Sequence, residues 1–255
     1  MFSRSAARFW PSYVFILLFL LLCTQENLSF PEGNAHTIKD RRHRHGFHSI
    51  DSIFVVNLES RADRLEHING VLGSLGLSLH HKIVHGVPHS CGVLGCTLSH
   101  VMALSECMDS NATTCAIFED DFELSCDPEE ANAAIERFFR HEPQSWQMLM
   151  LSAHVLSSSP AELSHVEVIN QALTGSGYIV HTSFAPTLLH LFLQAAYRLN
   201  QESCSQTLHA PDVLWGELQQ SGKWFALKPL IGKQRASYSD IEKRVVDYKV
   251  KMRLH

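Results

Sequence analysis

The sequence predicts an α/β fold in which helices flank a mostly parallel sheet. Short runs of β-branched and aromatic residues, such as Ser52–Leu58, alternate along the chain with helix-like segments such as Arg61–Leu75. Polar and ionic side chains follow directly after several of these runs. Open α/β sheets bind ligands at the carboxyl ends of their strands. The chain is therefore expected to bind a ligand at one edge of its sheet.

Strands and helices continue to alternate after these first two elements. Further strands are predicted at His81–Val87, Cys115–Phe118, Trp146–Ser152, Gly175–His181 and Trp224–Ile231. Further helices are predicted from Gly92 to Met108 and at Pro128–Arg140, Ser183–Leu199 and Pro211–Gln220. Asp127 as N-cap and Pro128 at the first helical position mark the start of one of them.

Composition is consistent with a packed globular domain. Of the 255 residues, 45% are apolar and 18% are charged, and the net charge is −5. This mild negative charge argues against a nucleic-acid partner. We assign residues 51–243 to one domain, the polar segment 24–50 to a flexible stem and residues 244–255 to a carboxyl-terminal tail.

Residues 1–23 form a targeting segment. Arg4 and Arg8 precede the apolar run Tyr13–Cys23, which fits either a cleaved secretory signal or a type II membrane anchor. Both interpretations place the rest of the chain in the lumen of the secretory pathway, the ER or Golgi. The glycosylation sequons at Asn27 and Asn111 agree with this, and an oxidising lumen would permit disulfides among the seven cysteines.

Three consecutive carboxylates, Glu119-Asp120-Asp121, follow the predicted strand Cys115–Phe118. Such carboxylates repel one another unless cations neutralise them. On an extended chain Glu119 and Asp121 point to the same side, so they could bind Mn²⁺ or Mg²⁺ together with substrate phosphates. The alternative is a solvated acidic loop.

Asn57 lies at the end of the first predicted strand, and Arg61 and Arg64 follow it at the start of a predicted helix. The two arginines are spaced i, i+3 and therefore share a face. Guanidinium groups bind phosphate in a bidentate manner, and a helix amino terminus favours anions. The alternative is a pair of surface arginines that form ion pairs with nearby acidic residues.

Two further segments contain candidate ligands. Gly92 and Gly95 permit close backbone approach, and Ser99 and His100 could bond a sugar or a phosphate. The alternative is a glycine turn with a capping serine and a surface histidine. A separate zinc site formed by His85, His89, Cys91 and Cys96 is a weaker hypothesis, because the spacing lacks the usual Cys-x₂-Cys pair.

Two carboxyl-terminal segments complete the candidate residues. Asp212, at a helix start, could be the base that takes a proton from an acceptor hydroxyl, or could simply favour the helix dipole. The segment Lys233–Glu242 mixes basic and hydroxyl groups and could close over phosphates, or be an ordinary exposed loop.

Together these segments resemble glycosyltransferase family 25, which includes lipooligosaccharide and procollagen galactosyltransferases. The resemblance covers about residues 51–243 and depends on blocks in the right order. These are Ile53–Leu58 with Arg61 and Arg64, Gly95-Cys96 with Ser99-His100, Phe118–Asp121, Gly177-Tyr178-Ile179, Asp212, and Lys228-Pro229 with Gln234 and Ser239-Asp240-Ile241.

The resemblance implies a GT-A-like, Rossmann-like fold and an inverting, metal-dependent transfer of a hexose, galactose foremost. The donor would be a UDP-sugar and the acceptor a glycan or a hydroxylated protein side chain. It further implies Mn²⁺ or Mg²⁺ at Glu119 and Asp121, with Asp121 and Asp212 catalytic. The implied donor contacts are Asn57, Arg61, Arg64, Ser99, His100, Asp120, Gln234 and Ser239.

Two departures from the family pattern leave an alternative open. Glu59-Ser60-Arg61 stands where members often carry adjacent basic residues, and Leu208-His-Ala-Pro211 replaces the acidic block before Asp212. The alternative is a catalytically inactive luminal binding or adhesion protein with the same fold.

Overall fold

The computed structural model describes residues 45–201 and 207–247. The predicted targeting segment, residues 1–23, and the stem as far as residue 44 lie outside these residues. Within the two described ranges, no helix combines the length and the apolar character that a membrane span requires.

The described chain contains ten strands and six α-helices, with short 3-10 turns at Gly46–Ser49 and Thr207–His209. The strands are β1 Ser52–Asn57, β2 Lys82–His85, β3 Thr114–Glu119, β4 Phe122–Leu124, β5 Met148–Pro160, β6 Val166–His181, β7 Trp224–Leu227, β8 Gly232–Gln234, β9 Ser237–Ser239 and β10 Arg244–Val246. The helices are α1 Ala62–Ser74, α2 Gly92–Asp109, α3 Pro128–Arg140, α4 Ala185–Gln201, α5 Pro211–Leu214 and α6 Gly216–Gln219.

Six strands form the central sheet in the order β2-β1-β3-β6-β5-β7. Strands β1, β2 and β3 pair in parallel, as do β5 and β7, whereas β6 is antiparallel to its neighbours β3, β5 and β7. Five strands therefore point in one direction and β6 in the other. The predicted α/β fold with a mixed, mostly parallel sheet is confirmed.

Helices cover both faces of the sheet, because its central strand β3 is apolar on both sides. Residues Thr114–Phe118 of β3 are fully buried. On one face Phe118 and Ile179 pack with Ile68 of α1 and Phe138 of α3. On the other face α2 and α4 pack together, through residues that include Leu94 and Leu199. These layers bring the carboxyl ends of β1, β2 and β3 to one edge.

Packing begins before the predicted domain boundary at residue 51. Phe47 and Ile50 are buried in the main core, and the Phe47 amide donates to Asn132 Oδ1 of α3 at 3.0 Å. The last residues of the predicted stem therefore belong to the folded domain. The predicted tail also begins within it, because Arg244–Val246 pairs with Ser237–Ser239 and Val246 is buried.

Several element boundaries differ from those predicted. Strands β5 and β6 extend past Ser152 and Gly175 into a long antiparallel hairpin, although its residues are partly polar, because backbone pairing continues with register shifts. The predicted helix Pro211–Gln220 breaks at Trp215, whose indole N–H donates to the Ala172 carbonyl at 2.9 Å. The last predicted strand ends at Leu227, and three short strands follow it.

Two of the cysteine positions are joined near the sheet. Cys107 at the end of α2 and Cys115 of β3 form a disulfide, and Cys91 is also disulfide-bonded. Cys96 and Cys126 are free thiols.

We expect the Gly177→Ala substitution to lower the free energy of unfolding by about 1–3 kcal/mol, because a methyl group at this position overpacks the core. A Cβ at Gly177 would lie 2.6 Å from Phe122 Cδ2 and 3.1 Å from Phe118 Cδ1. Urea unfolding measures the change. Gly216→Ala is the matched control, because a Cβ at Gly216 meets no atom within 4 Å of it. Equal stability of the two variants would contradict the prediction.

Candidate active site

The carboxyl ends of β1, β2 and β3 line a cleft of about 270 Å³. Strand β1 ends at Asn57 and β3 at Glu119, and Val56 pairs with Glu119, so the two strand ends are neighbours. Helix α2 and the segment around β9 form the other walls. The residues of the cleft with polar or thiol side chains are Ser60, Arg64, His89, Cys96, Ser99, Glu119, Asp120, Asp121, Gln234, Ser239, Asp240 and Lys243.

Arg64 lies between two of the three carboxylates. Its Nη1 is 2.9 Å from Asp120 Oδ1 and 3.0 Å from Asp121 Oδ2, and the Arg64 and Asp120 side chains are almost completely buried. Its Nη2 donates to Ser237 Oγ and to the Tyr238 carbonyl. One guanidinium therefore pairs with two buried carboxylates and ties the acidic triplet to strand β9.

Asp121 is 2% exposed, so its carboxylate has almost no contact with solvent. Its Oδ2 accepts a hydrogen bond from Gln234 at 3.1 Å, while its Oδ1 is buried without a partner among the described residues. Burial, followed by the charge of Glu119, raises the pKa of Asp121 to about 7. An unpartnered oxygen and an excess of buried negative charge are the properties that a divalent cation would satisfy.

Asp120 and Asn57 form a second buried contact. Asn57 Nδ2 donates to Asp120 Oδ2 at 2.8 Å and to the Arg61 carbonyl at 3.2 Å. Burial raises the pKa of Asp120, although Arg64 and Asn57 oppose this shift. Asn57 thus holds the acidic triplet against the start of α1.

Arg61 is engaged differently from Arg64. Its Nε and Nη2 each lie 2.9 Å from an oxygen of Asp63, and its Nη1 lies 2.5 Å from Asp240 Oδ2. Asp63 is largely exposed and Asp240 is half-exposed. Arg61 therefore joins α1 to the segment after β9, at the rim of the cleft.

Asp212, at the start of α5, is held near the same edge by the β6 backbone. Its Oδ2 accepts a hydrogen bond from the Thr174 amide at 3.0 Å. Because Phe118 pairs with Gly177, residues 174–176 continue past the end of β3. Burial raises the pKa of Asp212, and the charge of Glu119 adds to this shift, which indicates that the two carboxylates share one region.

Comparison with known proteins gives a family match that includes this edge of the sheet. The model of glycosyltransferase family 25 (LPS biosynthesis protein) matches residues 78–202, which contain α2, β3 and the acidic triplet. The matched region is just under half of the chain. This similarity supports a glycosyltransferase role in general, for which the family implies a sugar donor and a glycan acceptor. No curated protein matches the chain.

The chain is also similar to two solved structures at low identity. The crystal structure of A197 from STIV shares 10% identity, covers 76% of this chain and 91% of that chain, and has a TM-score of 0.43. The crystal structure of mannose-1-phosphate geranyltransferase from Thermus thermophilus shares 7% identity, covers 72% and 73%, and has a TM-score of 0.39.

Ser99 and His100 occupy inner positions of the region that the family model matches. The Ser99 hydroxyl donates to the Gly95 carbonyl at 2.7 Å and accepts from the Val87 amide at 2.8 Å, so it joins α2 to the loop after β2. His100 is buried rather than on the surface, with Nδ1 3.0 Å from the Tyr178 hydroxyl and Nε2 3.2 Å from Glu119 Oε1. Both residues position the walls of the cleft.

Ser239 and Gln234 come from the predicted closing segment, and both line the cleft. Gln234 contacts Asp121, whereas the Ser239 hydroxyl accepts a hydrogen bond from the Glu242 amide at 3.1 Å and stabilises the turn between β9 and β10. The segment is therefore an ordered hairpin against the cleft.

The ligand set predicted for zinc is not assembled. Cys91 is disulfide-bonded, and the side chain of His89 accepts a hydrogen bond from the Cys91 amide through Nδ1. Among the described residues, Cys96 instead lies with His100 and Glu119, their ligand atoms within 4.8 Å of one another.

Sequence analysis did not predict two contacts of the cleft. Tyr178, in a segment noted only for its family resemblance, is completely buried against His100. Ser237 binds Arg64 from a short strand that was not predicted. Strand alternation could have flagged Tyr178 as buried, but no local signal identifies its partner on α2.

A larger cavity of about 420 Å³ lies at the opposite end of β1, near Asp51 and Lys82. Charged side chains of this cavity already have structural partners. Asp51 Oδ2 accepts hydrogen bonds from the Thr113 and Thr114 amides, and Lys82 pairs with Glu106. The smaller cleft, with its buried carboxylates, is therefore the candidate active site.

Proposed function

We propose that the chain transfers a hexose, galactose foremost, from a UDP-sugar to a hydroxyl of a glycan or of a hydroxylated protein side chain, with inversion at the anomeric carbon. The observation that carries this proposal is Asp121 at the end of β3, buried with Oδ1 unpartnered among the described residues and with its pKa raised to about 7. Such a carboxylate is suited to a cation that accompanies a diphosphate.

Glu119 and Asp121 would hold Mn²⁺ or Mg²⁺. Both belong to the acidic triplet, and the half-exposed Glu119 lines the cleft beside Asp121. When bound, the cation would stabilise negative charge on the departing diphosphate. The chain's own cation at this place is Arg64, which binds Asp120 and Asp121 and would also favour the diphosphate electrostatically. Arg61, at the rim, would reach the nucleotide by exchanging Asp240 for a phosphate.

Asp212 is the proposed base. In a single displacement the acceptor oxygen bonds to the anomeric carbon as the bond to the diphosphate breaks, and the acceptor proton passes to the base. Burial raises the pKa of Asp212, so its carboxylate is a better proton acceptor than an exposed one, and the Thr174 amide fixes one of its oxygens. The other oxygen of the Asp212 carboxylate is then left to take the proton of the acceptor hydroxyl.

We further propose that the chain acts in the lumen of the secretory pathway, in the ER or Golgi, either anchored by residues 1–23 or released by cleavage. The Cys107–Cys115 disulfide supports this, because such bonds persist in oxidising compartments. So does the sequon at Asn111, an exposed turn residue.

Donor turnover by the full-length chain tests the proposal. A panel of nucleotide sugars is offered with Mn²⁺ or with chelator, with and without glycan acceptors. One UDP-hexose should be consumed only when Mn²⁺ is present. Asp212→Asn should lower kcat by about 100-fold or more and leave the donor Kd nearly unchanged, because general base catalysis contributes about 10²–10⁴-fold.

The neighbouring exposed residue gives a matched control, since Glu217→Gln in α6 should keep wild-type kcat. Donor binding without turnover of any sugar, in the presence of every acceptor, would favour the inactive binding protein. Wild-type kcat in Asp212→Asn would rule out that residue as the base.

A further inference from the structure

A second group of metal-ligating side chains lies in the inner wall of the cleft. The ligand atoms of Cys96, His100 and Glu119 are all within 4.8 Å of one another. This group differs from the proposed donor-metal pair, Glu119 and Asp121, because it contains a thiol and an imidazole. These ligands suit zinc, whereas Mn²⁺ and Mg²⁺ prefer oxygen.

Rigid elements fix the three ligands. Cys96 and His100 are spaced i, i+4 on α2, so their side chains share one face of the helix, one turn apart. Two ligands at this spacing on a helix can bind one ion. Glu119 approaches from the end of β3, directly beside α2. Glu119 lies well apart from Cys96 and His100 in the sequence, but the packing of β3 beside α2 brings the three side chains together.

His100 is also supported in the way that metal-binding histidines are. With an ion bound, the neutral imidazole would carry its proton on Nδ1, donate it to the Tyr178 hydroxyl 3.0 Å away and present the Nε2 lone pair to the ion. Without an ion, Nε2–H can donate to Glu119 Oε1 at 3.2 Å while Nδ1 accepts from the Tyr178 hydroxyl. Tyr178 is completely buried, and the rings of Tyr178 and Phe192 pack on His100. A second hydrogen bond of this kind fixes the tautomer and the orientation of a metal ligand.

We propose that Cys96, His100 and Glu119 form a site for a borderline-soft divalent cation of the zinc type, with its fourth position open to the cleft. The Cys96 thiol is free, and both Cys96 and Glu119 line the cleft, so an ion can enter. Bonds of about 2.0–2.3 Å to a tetrahedral ion hold ligand atoms about 3.3–3.8 Å apart. His100 Nε2 and Glu119 Oε1 are already 3.2 Å apart, so the rotations needed to bind an ion fall mainly on the Cys96 side chain, whose sulfur lies within 4.8 Å of both.

One consequence rests on the proposed function. Glu119 belongs both to this site and to the proposed Mn²⁺ pair, so a zinc-type ion here would withdraw it from the donor. Zn²⁺ would then inhibit transfer in competition with Mn²⁺. The site itself is tested without turnover, so its failure and the failure of the proposed function are distinguishable.

Cobalt(II) is the probe, because a thiolate bound to Co²⁺ gives a charge-transfer absorption band that histidine and carboxylate ligands do not give. Metal-free full-length protein should develop this band on addition of one equivalent of Co²⁺ and lose it on addition of Zn²⁺. Cys96→Ser should abolish the band. Cys126→Ser, which replaces the other free thiol among the described residues, should retain it.

Two further variants keep the test decisive if Cys96→Ser folds poorly by near-UV circular dichroism. His100→Gln leaves the thiol in place and should weaken Co²⁺ binding at least 10-fold. Tyr178→Phe removes only the hydroxyl and should weaken it about 10-fold. The proposal is overturned if the wild type gives no thiolate band, if Cys126→Ser loses it, or if His100→Gln binds Co²⁺ as tightly as the wild type.

Discussion

The Asp121→Asn variant is expected to lose the proposed metal-dependent turnover and yet to have a higher free energy of unfolding than the wild type above pH 7. Asp121 is 2% exposed, and burial together with the charge of Glu119 raises its pKa to about 7 from the ordinary 3.8. A carboxyl whose pKa is raised in the folded state stabilises the fold below pH 4. That contribution is lost as the pH rises through 7.

The gain in stability of Asp121→Asn over the wild type should therefore be absent at pH 4 and fully present at pH 8. A pKa shift of this size limits the gain in the free energy of unfolding to about 4 kcal/mol, and imperfect hydrogen bonding of the new amide makes the gain smaller. Arg64 keeps Asp120 as a partner, so the variant leaves a balanced ion pair. Turnover should fall about 100-fold or more, because charge stabilisation at the diphosphate is lost.

Urea unfolding at pH 4 and pH 8 in metal-free buffer measures the stability change, and addition of Mn²⁺ measures its link to function. Mn²⁺ should raise the unfolding temperature of the wild type and leave that of Asp121→Asn unchanged. Asp63→Asn, at an exposed carboxylate paired with Arg61, should show no gain at pH 8. A loss of stability in Asp121→Asn at pH 8 would contradict the charge balance inferred for the cleft.

The Arg64→Met variant is expected to lose about 3–5 kcal/mol of stability at pH 8, because it leaves two buried carboxylates without their cation. Asp120 and Asp121 are 6% and 2% exposed, so water replaces the lost guanidinium poorly. The loss should shrink at pH 5, where protonation relieves the charge. Adding Asp121→Asn to the variant should recover part of the loss at pH 8.

Arg61→Met is the matched control, one turn earlier on the chain. The Arg61 side chain is about as buried as that of Arg64, at 14% against 12% exposed, but its partners Asp63 and Asp240 are 67% and 36% exposed. Exposed ion pairs contribute about 0–1 kcal/mol. Urea unfolding at pH 8 measures the loss of stability in each variant. Equal losses would show that burial of the carboxylates does not determine how much stability is lost.

The sequence predicted the positions of the candidate residues better than their contacts. The acidic triplet after β3 and the polar turn after β1 were expected at one edge of the sheet, and they lie there, because parallel strands end together. The sequence left His100 either as a ligand for a sugar or phosphate or as a surface residue. It is buried, since α4 and β6 cover that side of α2.

The sequence by itself determined the α/β order of the chain and the placement of carboxylates at the end of β3, because strand and helix periodicities are local properties. Only the tertiary structure decided how these charges pair. Arg64 meets Ser237, Asp121 meets Gln234, and Cys96 and His100 meet Glu119. Each contact joins segments whose approach depends on sheet register and helix packing. Local sequence patterns do not encode the distances between these segments, because the packing of the folded chain sets them.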